Sequence, residues 1–144
     1  EAIEDAQSMM NEGYRNSSIY GMLGYFKLLR NDDLDETTKL CEEAYDYNSD
    51  DRDIKDNLSI CYFRKGEYEK AEKISDELVG SAPNFVEGFY HGIQIAMKLN
   101  KYDKAAEYAE KLKECKRSGM TTVTEEEVNK LIQEVKNHNE NTIG

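Results

Sequence analysis

The residue types of this sequence repeat at an interval of 34 residues, which is typical of stacked helical hairpins. A shift of 34 residues aligns Leu34 with Tyr68 and Tyr102; Thr37 with Ala71 and Ala105; Leu40 with Ile74 and Tyr108; Ala44 with Leu78 and Leu112; Leu28 with Tyr62 and Ala96; and Leu29 with Phe63 and Met97. The same shift aligns the basic residues Arg30, Arg64 and Lys98 and the turn formers Asp32, Gly66 and Asn100. Such a unit cannot bury its apolar residues alone, so it must stack on a neighbour.

Each repeat predicts two helices. Between Asp53 and Arg64 the apolar residues recur at helical spacing, and Gly66 then breaks the helix. A second helix is predicted from about residue 69 and should be stopped by Gly80 and Pro83. Because Pro83 is the only proline and no Asn-Gly or Asp-Gly turn occurs, the whole chain is predicted to be helical.

The middle repeat resembles a tetratricopeptide repeat. That family's pattern asks for Leu followed by a small residue, an aromatic residue, a turn glycine, a second aromatic residue, an alanine and a closing proline, and the residues that match are Leu58, Ser59, Tyr62, Gly66, Tyr68, Ala71 and Pro83. The resemblance implies an all-α fold, namely an α-α superhelix of stacked antiparallel helical hairpins with an extra helix at each end.

The 34-residue repeat divides the chain into hairpins and end segments. We expect an N-terminal helix that caps the array or remains from a preceding repeat (1–13), three hairpins (18–51, 52–85 and 86–119), a solvating helix (123–138) and a disordered tail (139–144). The solvating helix should begin with a capping box of Thr124 and Glu127. Its apolar stripe should consist of Val128, Leu131, Ile132 and Val135.

Charge and cysteine content exclude several classes of function. The net charge of −11 argues against nucleic acid and anionic membranes as partners, since both require a cationic surface, whereas it is compatible with a basic protein. Cys41, Cys61 and Cys115 are widely spaced and odd in number, which favours reduced, inert thiols in the cytoplasm and no metal site. No apolar run is long enough to insert into a membrane.

Catalytic motifs are absent from the sequence. It contains no phosphate-binding glycine loop, no nucleophile elbow and no His-Glu-x-x-His motif, so we expect neither an enzyme nor a cofactor. The acidic stretch 46–51 resembles the start of a calcium loop, but Asp51 replaces the required glycine and Asn57 the bidentate glutamate. We interpret this stretch as a turn in which Asp50 or Asp51 caps the next helix.

The resemblance implies that the first helix of each hairpin lines a concave channel. The channel residues expected from it are Ile19, Met22, Leu23, Phe26 and Arg30 in the first hairpin, Asp53, Asn57, Ile60 and Arg64 in the second, and Glu87, Tyr90, His91, Gln94 and Lys98 in the third. The basic series within this set admits two interpretations. It either pairs with acids of a ligand or compensates the helix dipole.

Three functions remain open. The favoured one is a non-enzymatic scaffold or adaptor that binds a peptide or amphipathic helix of another protein in the channel. An alternative is a structural segment of a larger assembly that stacks through its ends, and the oligomeric state is left open. A third is a co-chaperone, since some family members grip the acidic tail of heat-shock chaperones with Lys, Asn and Arg. The matching positions here are Met22, Phe26, Asn57, Glu87 and His91, of which only Asn57 agrees, so this function is disfavoured.

Overall fold

A computed structural model describes residues 2–13, 15–116 and 121–143, and these residues form helices without any strand. The helices are α1 (Ala2–Asn11), α2 (Ser17–Leu29), α3 (Leu34–Tyr47), α4 (Arg52–Arg64), α5 (Tyr68–Ser81), α6 (Val86–Lys98), α7 (Tyr102–Glu114) and α8 (Glu125–Ile143). The predicted all-α fold of helical hairpins with an extra helix at each end is confirmed. The expected end of the third hairpin, at 117–119, lies outside the described residues, as do Glu1 and Gly144.

The chain forms two compact units, Glu1–Ile74 and Ser75–Gly144. In the first unit, α1 packs on α2, and α2 packs on both α3 and α4. Two clusters of buried side chains hold these helices together. The first cluster consists of Ala6, Met10, Ile19, Tyr20, Leu23, Ala44 and Ile54, and the second of Leu28, Cys41, Leu58, Cys61 and Ile74.

In the second unit, α6 and α7 form a hairpin and α8 covers it. Its core consists of Val86, Phe89, Ile93, Ala96, Ala105, Tyr108, Ala109, Leu112, Val123, Val128, Leu131 and Val135. The predicted stripe of α8 is confirmed, since Val128, Leu131 and Val135 are buried and Ile132 packs against them. The predicted capping box is confirmed as well, because the Glu127 amide donates to the Thr124 hydroxyl over 3.0 Å and the Thr124 amide donates to Glu127 Oε1 over 3.1 Å.

The turn after α2 differs by one residue from the register that the sequence suggests. The residues with positive φ that follow α2, α4 and α6 are Asn31, Gly66 and Asn100, and Gly66 follows Asn31 by 35 residues but precedes Asn100 by 34. The prediction that Asp32 is equivalent to Gly66 is therefore wrong. Four residues join α2 to α3, whereas three join α4 to α5, so the helix α2 is displaced by one position relative to the 34-residue repeat.

Two predicted boundaries of the middle hairpin are tested by the helix ends. Asp51 caps α4, because its Oδ1 accepts hydrogen bonds from the amides of Asp53 and Ile54, as expected for the acidic turn. The prediction that Gly80 and Pro83 stop α5 is confirmed, because α5 ends at Ser81, between these two residues.

The prediction of a disordered tail from residue 139 is wrong for residues 139–143, because α8 continues to Ile143. Neither glycine nor proline interrupts α8. The ring of His138 also stacks on Tyr102 of α7 with centroids 3.6 Å apart, which holds this part of the helix against its neighbour.

Candidate functional site

The helix α2 presents an apolar strip to solvent. Met22, Tyr25 and Leu29 follow one another at helical spacing, and 38%, 37% and 59% of their surfaces are exposed. The half-buried ring of Phe26 lies against Tyr25, with centroids 5.6 Å apart. We call Met22, Tyr25, Phe26 and Leu29 the α2 strip. Exposed apolar side chains that are contiguous on one helix face are typical of protein-binding surfaces.

The other faces of α2 are buried against neighbouring helices. Ile19 and Leu23 are buried with Ala6 and Met10 of α1, so the prediction that they line an open channel is wrong. The displacement of α2 by one position accounts for this error. Residues 18, 22, 25 and 29 are exposed, each one position before the predicted Ile19, Leu23, Phe26 and Arg30, and Arg30 is exposed as well.

Tyr25 and Leu29 were missed for the same reason. The sequence holds a signal that would have found them. Leu23-Gly24 reproduces the Leu58-Ser59 pair of the middle repeat at an interval of 35 residues. Gly24 sits where a Cβ atom would lie 3.0 Å from Asn57 Nδ2 and 3.2 Å from Cys41 Sγ, as expected for the small residue at a close helix contact.

The predicted residues of α4 divide into structural and accessible ones. The amide Nδ2 of Asn57 donates a hydrogen bond to the Gly21 carbonyl oxygen over 3.0 Å, and only 4% of the residue is exposed. The expectation that Asn57 is available to a ligand is therefore wrong, because it joins α4 to α2. Asp53 is exposed and Ile60 is half-buried, so both stay accessible from solvent.

The basic residues Arg30, Arg64 and Lys98 lie at the C-terminal ends of α2, α4 and α6, where the helix dipole favours positive charge. Arg64 Nη1 donates to the Leu28 carbonyl oxygen over 3.0 Å, which satisfies an acceptor in the last turn of α2. Arg30 pairs with Asp32 over 2.6 Å, and this hydrogen bond raises the pKa of Arg30 and lowers that of Asp32. Lys98 is exposed at the end of α6. The hydrogen bond to Leu28 therefore supports the interpretation that Arg64 stabilises the end of a helix.

The predicted residues of α6 lie beside the C-terminal segment. Glu87 is buried, and its Oε1 accepts hydrogen bonds from the backbone amide of Thr122 over 2.8 Å and from the Thr122 hydroxyl over 3.3 Å. The expectation that Glu87 lines an open channel is therefore wrong. Burial raises the pKa of Tyr90, and the charges of Glu127 and Glu134 on α8 add to this effect. The rings of Tyr90 and His91 meet edge to face at 5.6 Å, and Gln94 is half-buried.

Glu87→Ala is expected to lower the free energy of unfolding by about 1–3 kcal/mol, since the amide and the hydroxyl of Thr122 lose a charged acceptor. Glu87→Gln keeps a carbonyl oxygen at that place and should cost less than about 1 kcal/mol. Urea unfolding monitored by circular dichroism measures both values. Equal losses of unfolding free energy for the two variants would contradict the role of Glu87 Oε1 as the acceptor of the Thr122 amide.

Over 2–13, 15–116 and 121–143, no group of three or more His, Cys, Asp or Glu side chains is placed to hold a metal ion. A cleft of about 490 Å³ between α5 and α7 is lined by Asp76, Lys104 and Tyr108 among others. Lys104 and Tyr108 both bind Asp76, at 2.7 and 3.0 Å, so these polar groups satisfy one another. None of the described helices is both long and apolar enough to cross a membrane.

Comparison with known proteins supports the architecture. Residues 28–88 match the family model for the tetratricopeptide repeat. No curated protein matches the sequence. Among solved structures, the chain is similar to the Sgt2 TPR domain from Aspergillus fumigatus, with a TM-score of 0.74 and 17% identity over 88% of this chain and 80% of that one.

Two further similar structures are of TPR proteins that recognise peptides. The first TPR of Spaghetti (RPAP3) bound to the HSP90 peptide SRMEEVD matches with a TM-score of 0.71 and 14% identity, over 85% of this chain and 91% of that one. YrrB, a TPR protein with an unusual peptide-binding site, matches with a TM-score of 0.69 and 16% identity, over 94% of this chain and 64% of that one. At these identities the likeness establishes the fold alone.

Proposed function

Since residues 28–88 match the family model for the tetratricopeptide repeat, we propose that the protein is a scaffold or adaptor whose helix α2 binds a segment of another protein through apolar anchor residues. The family is in general a non-enzymatic protein-interaction fold. The observation that carries the proposal is the α2 strip, in which Met22, Tyr25 and Leu29 remain exposed although the other large apolar residues of α2 are buried or half-buried. A partner that covers these side chains would gain hydrophobic free energy of about 25 cal/mol per Å² of apolar surface.

The surroundings of the α2 strip favour a partner with basic rather than acidic residues. The net charge of the chain is −11, and Asp53 at the start of α4 is exposed. Long-range attraction would therefore speed the approach of a cationic segment and oppose that of an anionic one. We infer that the partner segment is an amphipathic helix or extended peptide with apolar anchors and flanking Lys or Arg residues.

An acidic chaperone tail suits this surface poorly. With α2 displaced by one position, the residues of the first hairpin equivalent to Glu87 and Asn57 are Ser18 and Met22, and neither offers a cation or an amide side chain. Asn57 is engaged with Gly21, and Glu87 with Thr122. We therefore expect no measurable binding of the peptide SRMEEVD in a fluorescence polarisation titration, and binding with micromolar affinity would contradict the proposal.

The proposal is tested by selecting peptides from a random displayed library on the purified wild-type chain. The selected peptides should share two or three apolar or aromatic anchors with flanking basic residues. Met22→Ala combined with Leu29→Ala is expected to weaken the best selected peptide by at least roughly 30-fold, because anchor contacts at interfaces are each worth about 2 kcal/mol or more. Fluorescence polarisation with the labelled peptide measures the affinity.

The chain offers a matched control at Met9 of α1, which is 42% exposed but lies outside the α2 strip. Met9→Ala should leave the affinity for the selected peptide within about two-fold of wild type. Unchanged binding by the strip variant, or selected peptides that depend on a free C-terminal carboxylate, would refute the proposal. We also propose a reducing, cytoplasmic setting, because three cysteines cannot all pair within one chain.

A further inference from the structure

Two cysteines that are 20 positions apart in the sequence meet in the core of the first unit. The Sγ atoms of Cys41 on α3 and Cys61 on α4 lie 3.7 Å apart, and both are free thiols. Only 2% and 0% of the two residues are exposed. The sequence predicts them as separate, inert thiols, because widely spaced cysteines carry no sign of proximity. Their contact is visible only once α3 and α4 are packed.

We propose that Cys41 and Cys61 are a reversible redox pair that closes to a disulfide between α3 and α4. A disulfide bond is about 2.05 Å long, so the two sulfur atoms would approach by roughly 1.7 Å. Rotation about the Cα–Cβ bonds together with a small adjustment of the helices supplies a movement of this size. Since α3 belongs to the first hairpin and α4 to the second, the bond would join consecutive hairpins covalently.

The surroundings make Cys61 the nucleophile of the pair. The hydrogen bond between the two thiols lowers the pKa of Cys61 against the opposing effect of burial. Thr38 and Arg64 lower it further, whereas the charge of Glu42 raises it. Hydrogen bonding to Cys61 and burial raise the pKa of Cys41, which therefore keeps its proton. Loss of the Cys61 proton would place a thiolate beside the Cys41 thiol, which is the arrangement that thiol oxidation requires.

The oxidant is hydrogen peroxide, which is small enough to enter during local opening of the unit. The Cys61 thiolate attacks one peroxide oxygen, the O–O bond breaks, and Cys61 sulfenic acid and hydroxide form. Cys41 then attacks the Cys61 sulfur, the S–OH bond breaks and water leaves as the disulfide forms. Overall, two thiols lose two electrons and two protons to one peroxide, which yields two water molecules.

The experiment treats the full chain carrying Cys115→Ala with hydrogen peroxide, followed by alkylation, unfolding and peptide mapping without reductant. The expected product is a monomeric chain with the peptides of Cys41 and Cys61 linked and its mass reduced by two hydrogen atoms. Dithiothreitol should restore the original mass. The melting temperature should rise by roughly 10 °C on oxidation, since a bond closing a 20-residue loop restricts the unfolded chain.

Matched variants make the test independent of any packing defect. Cys41→Ala and Cys61→Ala, each in the Cys115→Ala background, should show neither the cross-link nor the rise in melting temperature when each is compared with its own reduced form. The wild-type chain supplies an internal reference, because Cys115 is only partly buried. The proposal is overturned if Cys41 and Cys61 remain alkylatable after unfolding at a peroxide dose that oxidises Cys115 completely. A terminal sulfinic acid at Cys61 without any cross-link would overturn it as well.

Discussion

Leu23→Ala is expected to lower the free energy of unfolding by about 2–5 kcal/mol, which is the usual cost of truncating a fully buried leucine. Leu23 is 0% exposed and packs in the cluster that joins α1, α2, α3 and α4. The substitution removes apolar contacts and leaves a cavity that the surrounding helices fill only in part. Urea unfolding followed by circular dichroism at 222 nm measures the loss.

Leu29→Ala is the matched control, because it changes the same residue type on the same helix. Leu29 is 59% exposed, so its truncation should alter the free energy of unfolding by no more than about 0.5 kcal/mol. The pair also tests the position of α2 directly. The channel residues predicted from the sequence include Leu23, whereas the structure buries Leu23 and exposes Leu29. Similar losses for the two variants would contradict the displacement of α2 by one residue.

The fold was predictable because its determinants are local and repeated. The spacing of apolar residues in 53–64, the break at Gly66 and the capping box at Thr124 each identify a helix or its end from a few neighbouring residues. The family resemblance of residues 58–71 then supplied the stacking of hairpins. Each of these local signals remains valid if a loop between two helices is one residue longer.

The candidate site was less predictable because it depends on which face of a helix is turned outward. One additional residue between α2 and α3 rotates the assignment of α2 by about 100°. Met22 and Phe26 belong to the α2 strip as well as to the predicted channel, whereas Ile19 and Leu23 are buried and Tyr25 and Leu29 were missed. An error of a single residue leaves the helix prediction intact and still misplaces part of the binding surface on that helix.

Contacts between distant polar residues were beyond the reach of the sequence. Asn57 and Glu87 occupy positions where the family resemblance implies ligand binding, yet each is bound to a backbone group about 35 residues away, at Gly21 and Thr122. A polar residue on a helix can serve a ligand or the fold with the same local pattern. Only burial and a measured hydrogen bond distinguish the two.

Asn57→Asp follows from this distinction and should cost about 3–5 kcal/mol at pH 7, the usual cost of an unpaired buried charge. The variant replaces the amide that donates to the Gly21 carbonyl oxygen with a carboxylate oxygen, which repels it. Burial and this repulsion both raise the pKa of the new carboxyl above its unfolded value of about 3.9. Below that value the carboxyl is protonated in both states and can itself donate to Gly21.

The cost of Asn57→Asp should therefore be smallest near pH 4 and should grow as the pH rises through the folded-state pKa toward 7. Urea unfolding of variant and wild type at each pH measures this difference, which cancels the pH dependence that they share. Asn57→Ala also loses the hydrogen bond but cannot ionise, so its cost should not change between pH 4 and 7. Asn129→Asp adds the same charge at an exposed position of α8 and should stay within about 0.5 kcal/mol. If Asn57→Asp behaved like Asn129→Asp, the side chain of residue 57 would be free of Gly21, and its availability to a ligand would be restored.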